Sequence, residues 1–171
     1  MTTATPRVDP RVIALAHYAG RALLENVLAR QGITFQQSVT LRLAAVADGP
    51  VRREQLTDGV TGALKIGATE AQQVLDELVA ARLLTPDGPS EVRITDAGRE
   101  LYATTSGETA PITARIYDGI PAEDLAVTGR VLSLITGRAD AELAALTRQG
   151  PSDRWNTEPP GAVVGPEGGT E

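Results

Sequence analysis

Between Arg11 and Gln31 the apolar positions leave little room for a polar face. Val12, Ile13, Leu15, Ala16 and Ala19 crowd the first half of the run, and Leu23, Leu24, Val27 and Leu28 continue it. Asp9-Pro10 offers an N-cap followed by proline at the first helical position, and Gly32 ends the run, so the pattern predicts a helix. A helix apolar nearly all round is buried on several sides, and a partner subunit can supply one of them. Thr34-Phe35-Gln36-Gln37 has the form of a capping box and predicts a second helix to about Ala47. Asp48-Gly49-Pro50 reads as a turn, and Val51 as a strand of one or two residues. Arg52 to about Leu64 carries Leu56, Val60 and Leu64 at fourfold spacing, a third helix in spite of Gly59 and Gly62.

The clearest amphipathic stripe follows. Ala71, Val74, Leu75 and Leu78 lie on one face, with Glu70, Gln72, Gln73, Asp76 and Glu77 opposite, and Thr69 is placed to cap this helix, which reaches Ala81. The runs "RLLTPDG" and "PSEVRIT" then switch to short extended segments around Pro86-Asp87-Gly88-Pro89, a β-hairpin signal. Asp96 to about Tyr102 starts a further helix that heads for Ile112 and Ile116, where Pro111 argues for a kink or a break. Pro121-Ala122-Glu123-Asp124 opens the last helix. Its stripe of Leu125, Leu132, Ile135, Leu143 and Leu146 is widened by Val127, Val131 and Leu134. From Gly150 the chain is rich in Gly and Pro without periodicity and reads as disordered.

The predicted fold is therefore mainly α with a small β-hairpin. The order helix, helix, short strand, helix, helix, hairpin, helix is that of a winged helix-turn-helix, flanked here by N- and C-terminal dimerisation helices. The expected division is a disordered N-terminus over 1–9, a dimerisation helix over 10–33, the winged domain over 34–102, C-terminal dimerisation helices over 103–149 and a tail over 150–171. In such a domain the second helix of the pair, here Thr69 to Ala81, enters the major groove and the hairpin flanks it. Thr95 is placed to cap the helix after the hairpin, Gly98 leaves room for close packing, Arg99 stays outside and Leu101 turns to the core.

Composition narrows the chemistry. Aromatic residues are only 3% of the 171, so Leu, Val, Ile and Ala must build the core. There is no cysteine and a single histidine, which excludes disulfides, thiolate metal sites, a Cys-His pair and a two-histidine metal site. No Gly-rich phosphate loop is present, and the carboxylate pairs Glu123-Asp124 and Asp140-Glu142 read as solvated helix faces. The chain is expected to be neither an enzyme nor a holder of metal or cofactor. No run of 18 apolar residues spans a membrane, and "MTTATPRVDP" lacks the apolar core of a signal peptide, so a cytoplasmic location is expected. The net charge of −6 divides into +2 over residues 1–50, −3 over 51–103 and −5 over 104–171. An acidic balance does not advertise nucleic-acid binding.

The segment Ile94-Thr95-Asp96-Ala97-Gly98-Arg99-Glu100-Leu101 resembles the "LTxxGRxL" segment of the MarR family, the multiple-antibiotic-resistance regulators. "AQQVLDELVAARLL" resembles the same family's groove helix, with Val74, Leu75, Leu78 and Leu83 at its apolar positions and Arg82 where the family often has Gly. "GIPAEDLAVTGRVLSLITGRADAEL" resembles its last helix. The resemblance covers roughly residues 10–148. It implies a homodimeric transcription regulator whose terminal helices pair across the dimer and whose winged domains straddle a pseudo-palindromic operator. Many members bind small anionic or aromatic molecules between the dimer helices and the winged domain. The family's Asp-x-Arg motif near the wing tip is absent; "TPDGPSE" stands there, with no basic residue.

The partners expected are thus double-stranded operator DNA, a second copy of the chain and a small-molecule effector. Gln72 and Gln73 are the candidate base readers, since Gln can bond adenine N6 and N7 bidentately. Thr69 is either a cap or a phosphate ligand, and Glu70 either reads cytosine or repels phosphate. Arg52, Arg53, Lys65 and Arg93 are candidate phosphate contacts or simply solvated charges. His17 and Tyr18, on the first helix, are placed at a ligand pocket by the resemblance, although a lone His on an apolar helix is more often a hydrogen-bonded core or interface residue. The competing expectation is a winged-helix dimer that has lost DNA affinity and serves as a protein-interaction or ligand-binding module. The −3 balance over 51–103 and the bare wing favour it, and the charge pattern around the groove helix separates the two.

Overall fold

The computed structural model describes residues 7–47 and 49–148. The elements run α1 (Pro10–Arg30), α2 (Phe35–Val46), β1 (Val51–Arg52), α3 (Arg53–Leu64), α4 (Ala68–Ala80), β2 (Leu84–Pro86), β3 (Glu91–Ile94), α5 (Asp96–Tyr117) and α6 (Ala122–Arg148). The tail expected over 150–171 lies outside the described residues, as does most of the expected N-terminal segment. The chain divides into two compact units, one ending at Asp118 and one starting at Gly119.

The first unit holds the winged domain. Its core is formed by Leu41 and Ala44 of α2, Leu56 and Val60 of α3, Ala71, Val74, Leu75 and Leu78 of α4, and Leu84, Val92 and Ile94 of the sheet. All four residues of the α4 stripe are buried, so the period of 3.6 reads through directly into packing. The sheet is more than a hairpin. Val51 pairs with Val92 and Arg52 with Glu91, which places β1 beside β3 and gives the order β1-β3-β2.

Local chemistry sets most of the boundaries. Asp9 Oδ1 accepts from Val12 N at 2.8 Å ahead of Pro10. Thr34 and Gln37 form both arms of the capping box, at 3.2 and 3.0 Å. Thr95 Oγ1 accepts from Gly98 N at 3.0 Å and itself donates toward the carbonyls of Arg82 and Leu83. Helix α4 closes in a Schellman arrangement: Leu83 N donates to Leu78 O and Arg82 N to Val79 O. Arg82 occupies the left-handed position of that motif at φ 60°.

Two expectations are corrected. Thr69 is not the cap of α4. The N-cap is Gly67, with no side-chain bond, and Thr69 lies inside the first turn. Of the kink or break expected at Pro111, the break does not occur: α5 is continuous from Asp96 to Tyr117. The proline removes one backbone donor, but the side chains after it, Ile112 and Ile116, line a groove against α1.

The second unit is described by α6. None of its residues is buried within the chain, and Val127, Val131, Leu132, Leu134, Ile135, Leu143 and Leu146 are exposed. On α1, too, only Val27 and Leu28 are buried, while Val12, Leu15, Tyr18 and Leu23 are exposed.

Candidate nucleic-acid interface

Burial of Ala71, Val74, Leu75 and Leu78 turns the opposite face of α4 outward. Thr69, Glu70, Gln72, Gln73, Asp76 and Glu77 are all exposed on it. The candidate base readers are therefore carried by a helix whose other side is fixed in the core. Gln73 Nε2 donates to Glu77 Oε1 at 3.1 Å, and Gln72 borders a polar depression with Arg53, Thr57 and Asp76.

The candidate phosphate ligands are arranged around that face, each beside an acid where a partner is defined. Arg52, at the junction of β1 and α3, is paired with Glu54. Arg53 reaches across from α3 to Asp76 of α4, Nη2 to Oδ1, at 2.7 Å. Arg93 on β3 turns to Asp87 at the wing, with Nη2 and Nε at 2.6 and 3.1 Å from Oδ2. Lys65 sits at the C-cap of α3 with a left-handed backbone, φ 57°. The basic groups do not join into an uninterrupted positive strip. They alternate with carboxylates.

These pairs are exposed. The Arg53 and Asp76 side chains keep 35% and 69% of their accessibility. Exposed ion pairs contribute only about 0–1 kcal/mol, so a phosphate can take an arginine from its carboxylate at small cost. The arrangement weakens the positive field without removing the donors.

Two concavities lie away from this face. An open groove of about 610 Å³ runs between α1 and α5, floored by small residues such as Ala16, Ala19 and Gly20 and walled by Leu23, Ile112 and Tyr117. A smaller cavity of about 200 Å³ sits where α1, α2 and α5 meet. Leu24 and Ile33 supply apolar walls, Ser38, Tyr102 and Ser106 supply hydroxyls, and Arg42 supplies a positive charge. His17 and Tyr18 line neither. Both are exposed and face each other with ring centroids 5.6 Å apart. Arg42 and Tyr102 were not anticipated, because one Arg on a helix looks like any solvated charge until the fold places it at a cavity. Among the described residues, no group of three or more His, Asp or Glu side chains could hold a metal ion, and no helix is long and apolar enough to cross a membrane.

No protein-family model and no curated protein matches the chain. Solved structures do. Ligand-free NadR superposes with a TM-score of 0.63 at 20% identity, over 75% of this chain and 95% of NadR. CouR from Rhodococcus jostii RHA1, bound to p-coumaroyl-CoA, gives 0.62 at 17% identity, over 73% and 88% of the two chains. A mutant of MarR from E. coli in complex with operator DNA gives 0.60 at 17% identity, over 73% and 91%. Others of this fold carry the description of MarR-family transcriptional regulators. With its buried α4 stripe, three-stranded wing sheet and terminal helices, the chain has the winged-helix fold of the MarR-family transcriptional regulators.

Proposed function

We propose that the chain is a homodimeric, operator-binding transcription regulator of the MarR type, a cytoplasmic repressor released by a small-molecule effector. The observation that carries the reading is the exposed outer face of α4, with Gln72 and Gln73 on a helix anchored through its buried stripe. On this fold that is the element placed for the major groove, and MarR of the same fold is known in complex with operator DNA. Thr69 at the start of α4 and Arg52, Arg53, Lys65 and Arg93 around it are the proposed backbone contacts.

Self-association is supported by apolar surface left uncovered on α1 and on α6, each considered alone. Apolar faces of that extent mark interaction sites. Two winged domains held by such a dimer address two half-sites about one helical turn apart. The cavity at Arg42 and Tyr102 supports the effector. A guanidinium beside hydroxyls and apolar walls suits a small carboxylate with an apolar body. CouR, of the same fold, holds an aromatic acyl thioester.

One observation favours the competing reading, a winged-helix dimer without useful DNA affinity that serves as a protein-interaction or ligand-binding module. Arg52, Arg53 and Arg93 are each matched by a carboxylate, and α4 itself presents Glu70, Asp76 and Glu77. Selection from a random-sequence duplex pool at low salt, followed by a salt titration, separates the two. A palindromic site whose affinity falls steeply with salt is the expected result. A folded dimer that enriches nothing at low salt overturns the DNA reading.

A further inference from the structure

A chain of hydrogen bonds ties the N-terminus of α2 to the outer face of α4. Gln37 Oε1 accepts from Thr34 N at 3.0 Å. That bond fixes which way round the Gln37 amide lies, and its Nε2 donates to Glu77 Oε2 at 3.0 Å. The other carboxylate oxygen, Glu77 Oε1, accepts from Gln73 Nε2 at 3.1 Å. A carboxylate only accepts, so each amide must turn its nitrogen toward Glu77. The two glutamines share one acceptor group, one on each oxygen.

We propose that Glu77, held by Gln37, is a positioning residue that presents the Gln73 amide for an adenine in the operator. This rests on the DNA-binding reading above. With one amide hydrogen on Glu77, Gln73 keeps its carbonyl oxygen and its second amide hydrogen for a ligand. That acceptor-donor edge is the complement of adenine N6 and N7 in the major groove. A free glutamine presents either edge and loses several rotamers on binding; a held one loses fewer, and the gain appears as discrimination between bases rather than as general affinity. Gln37 is the element that makes the arrangement specific. It stands forty residues from Glu77 and is itself fixed by the capping box.

The test uses the whole protein and four variants, each taken through selection from a random duplex pool. Gln37→Glu keeps the capping box, in which Glu serves as well as Gln, but faces Glu77 with a second carboxylate that cannot donate. Glu77→Ala removes the shared acceptor. Gln73→Ala identifies the base pair that Gln73 reads. The double variant Gln37→Glu with Gln73→Ala closes a cycle. Gln37→Glu and Glu77→Ala change the net charge in opposite directions, so they shift overall affinity oppositely. Both are expected to lower adenine discrimination at the Gln73 pair, by about tenfold, and once Gln73 is Ala, Gln37→Glu is expected to change overall affinity but not the preference at that pair. Unchanged preference at that pair in both single variants overturns the proposal, as does an equal loss from Gln37→Glu with and without Gln73. Failure of the unaltered protein to enrich any sequence overturns the DNA reading itself, and the proposal falls with it.

Discussion

Replacing Gly98 by Ala adds one methyl group where α5 leaves the wing. A Cβ built there lies 2.3 Å from Leu83 O, 2.8 Å from Ile94 Cγ1 and 3.2 Å from Leu83 C. The nearest obstacle is backbone, which cannot rotate away like a side-chain tip. That carbonyl accepts from Thr95 N and from Thr95 Oγ1, both at 3.1 Å, so moving it disturbs the bonds that lock β3 and α5 to the end of α4. Overpacking costs about 1–3 kcal/mol, and each hydrogen bond weakened costs about 1 kcal/mol. Helix propensity acts the other way, favouring Ala by about 1 kcal/mol. The net expectation is a loss of about 1–4 kcal/mol. Gly107, in the same helix, has no atom within 4 Å of a built Cβ, so Gly107→Ala keeps only the propensity term. Urea unfolding followed by far-UV circular dichroism, at one fixed protein concentration because the species is proposed to be a dimer, reads both. Gly107→Ala should gain up to about 1 kcal/mol. If Gly98→Ala is as stable as the parent or more so, the junction relaxes freely and the close approach does not constrain this position.

Arg82→Gly should stabilise the protein by about 1 kcal/mol in the same assay, because the left-handed residue of the Schellman motif strains any Cβ-bearing side chain; a loss would mean that the Arg82 side chain contributes more than the backbone strain costs. Arg53→Ala should weaken binding to all duplexes alike and lower the slope of log affinity against log salt by about 0.9, one phosphate contact; an unchanged slope would remove Arg53 from the interface. Arg42→Ala should abolish calorimetric binding of benzoate, taken as a simple aromatic carboxylate, and leave the circular dichroism spectrum unchanged. Binding retained in the variant would assign the anion elsewhere. The pair Val131→Glu and Leu134→Glu, on an exposed face of α6, should convert the dimer to a monomer in sedimentation, and a dimer that survives both charges would place its interface off that face.

The parts of the fold legible in the chain are those fixed by neighbours a turn apart. The capping box of Thr34 and Gln37, the Thr95 cap and the α4 stripe each involve residues three or four positions apart, and each reads through to the structure. Thr69 misleads for the same reason. A capping residue type stood close to the helix start, but the chain enters two residues earlier, through Gly67. At Pro111 the break that propensity allows does not occur, and α5 runs on to Tyr117. The candidate site divides likewise. That Gln72 and Gln73 face outward follows from the stripe. That Arg53 meets Asp76, 23 residues on, or that Gln37 meets Glu77, follows only from how α2, α3 and α4 cross.

The acidic charge count has its meaning in those crossings. A balance of −3 over residues 51–103 suggests a surface that repels DNA. Glu54, Asp76 and Asp87, however, lie within ion-pair reach of three of the arginines proposed as phosphate contacts. Binding at such a surface is an exchange of partners: each arginine gives up a solvated carboxylate worth little and takes a phosphate, with release of counterions from the duplex. The freed acids remain near the backbone and oppose the gain. The phosphate contribution is common to operator and arbitrary duplex, so its loss lowers both affinities, and the difference between them rests on short-ranged base contacts such as those proposed for Gln72 and Gln73. An acidic winged helix of this design should therefore bind weakly to arbitrary DNA, and any preference for an operator should come from base contacts more than from charge.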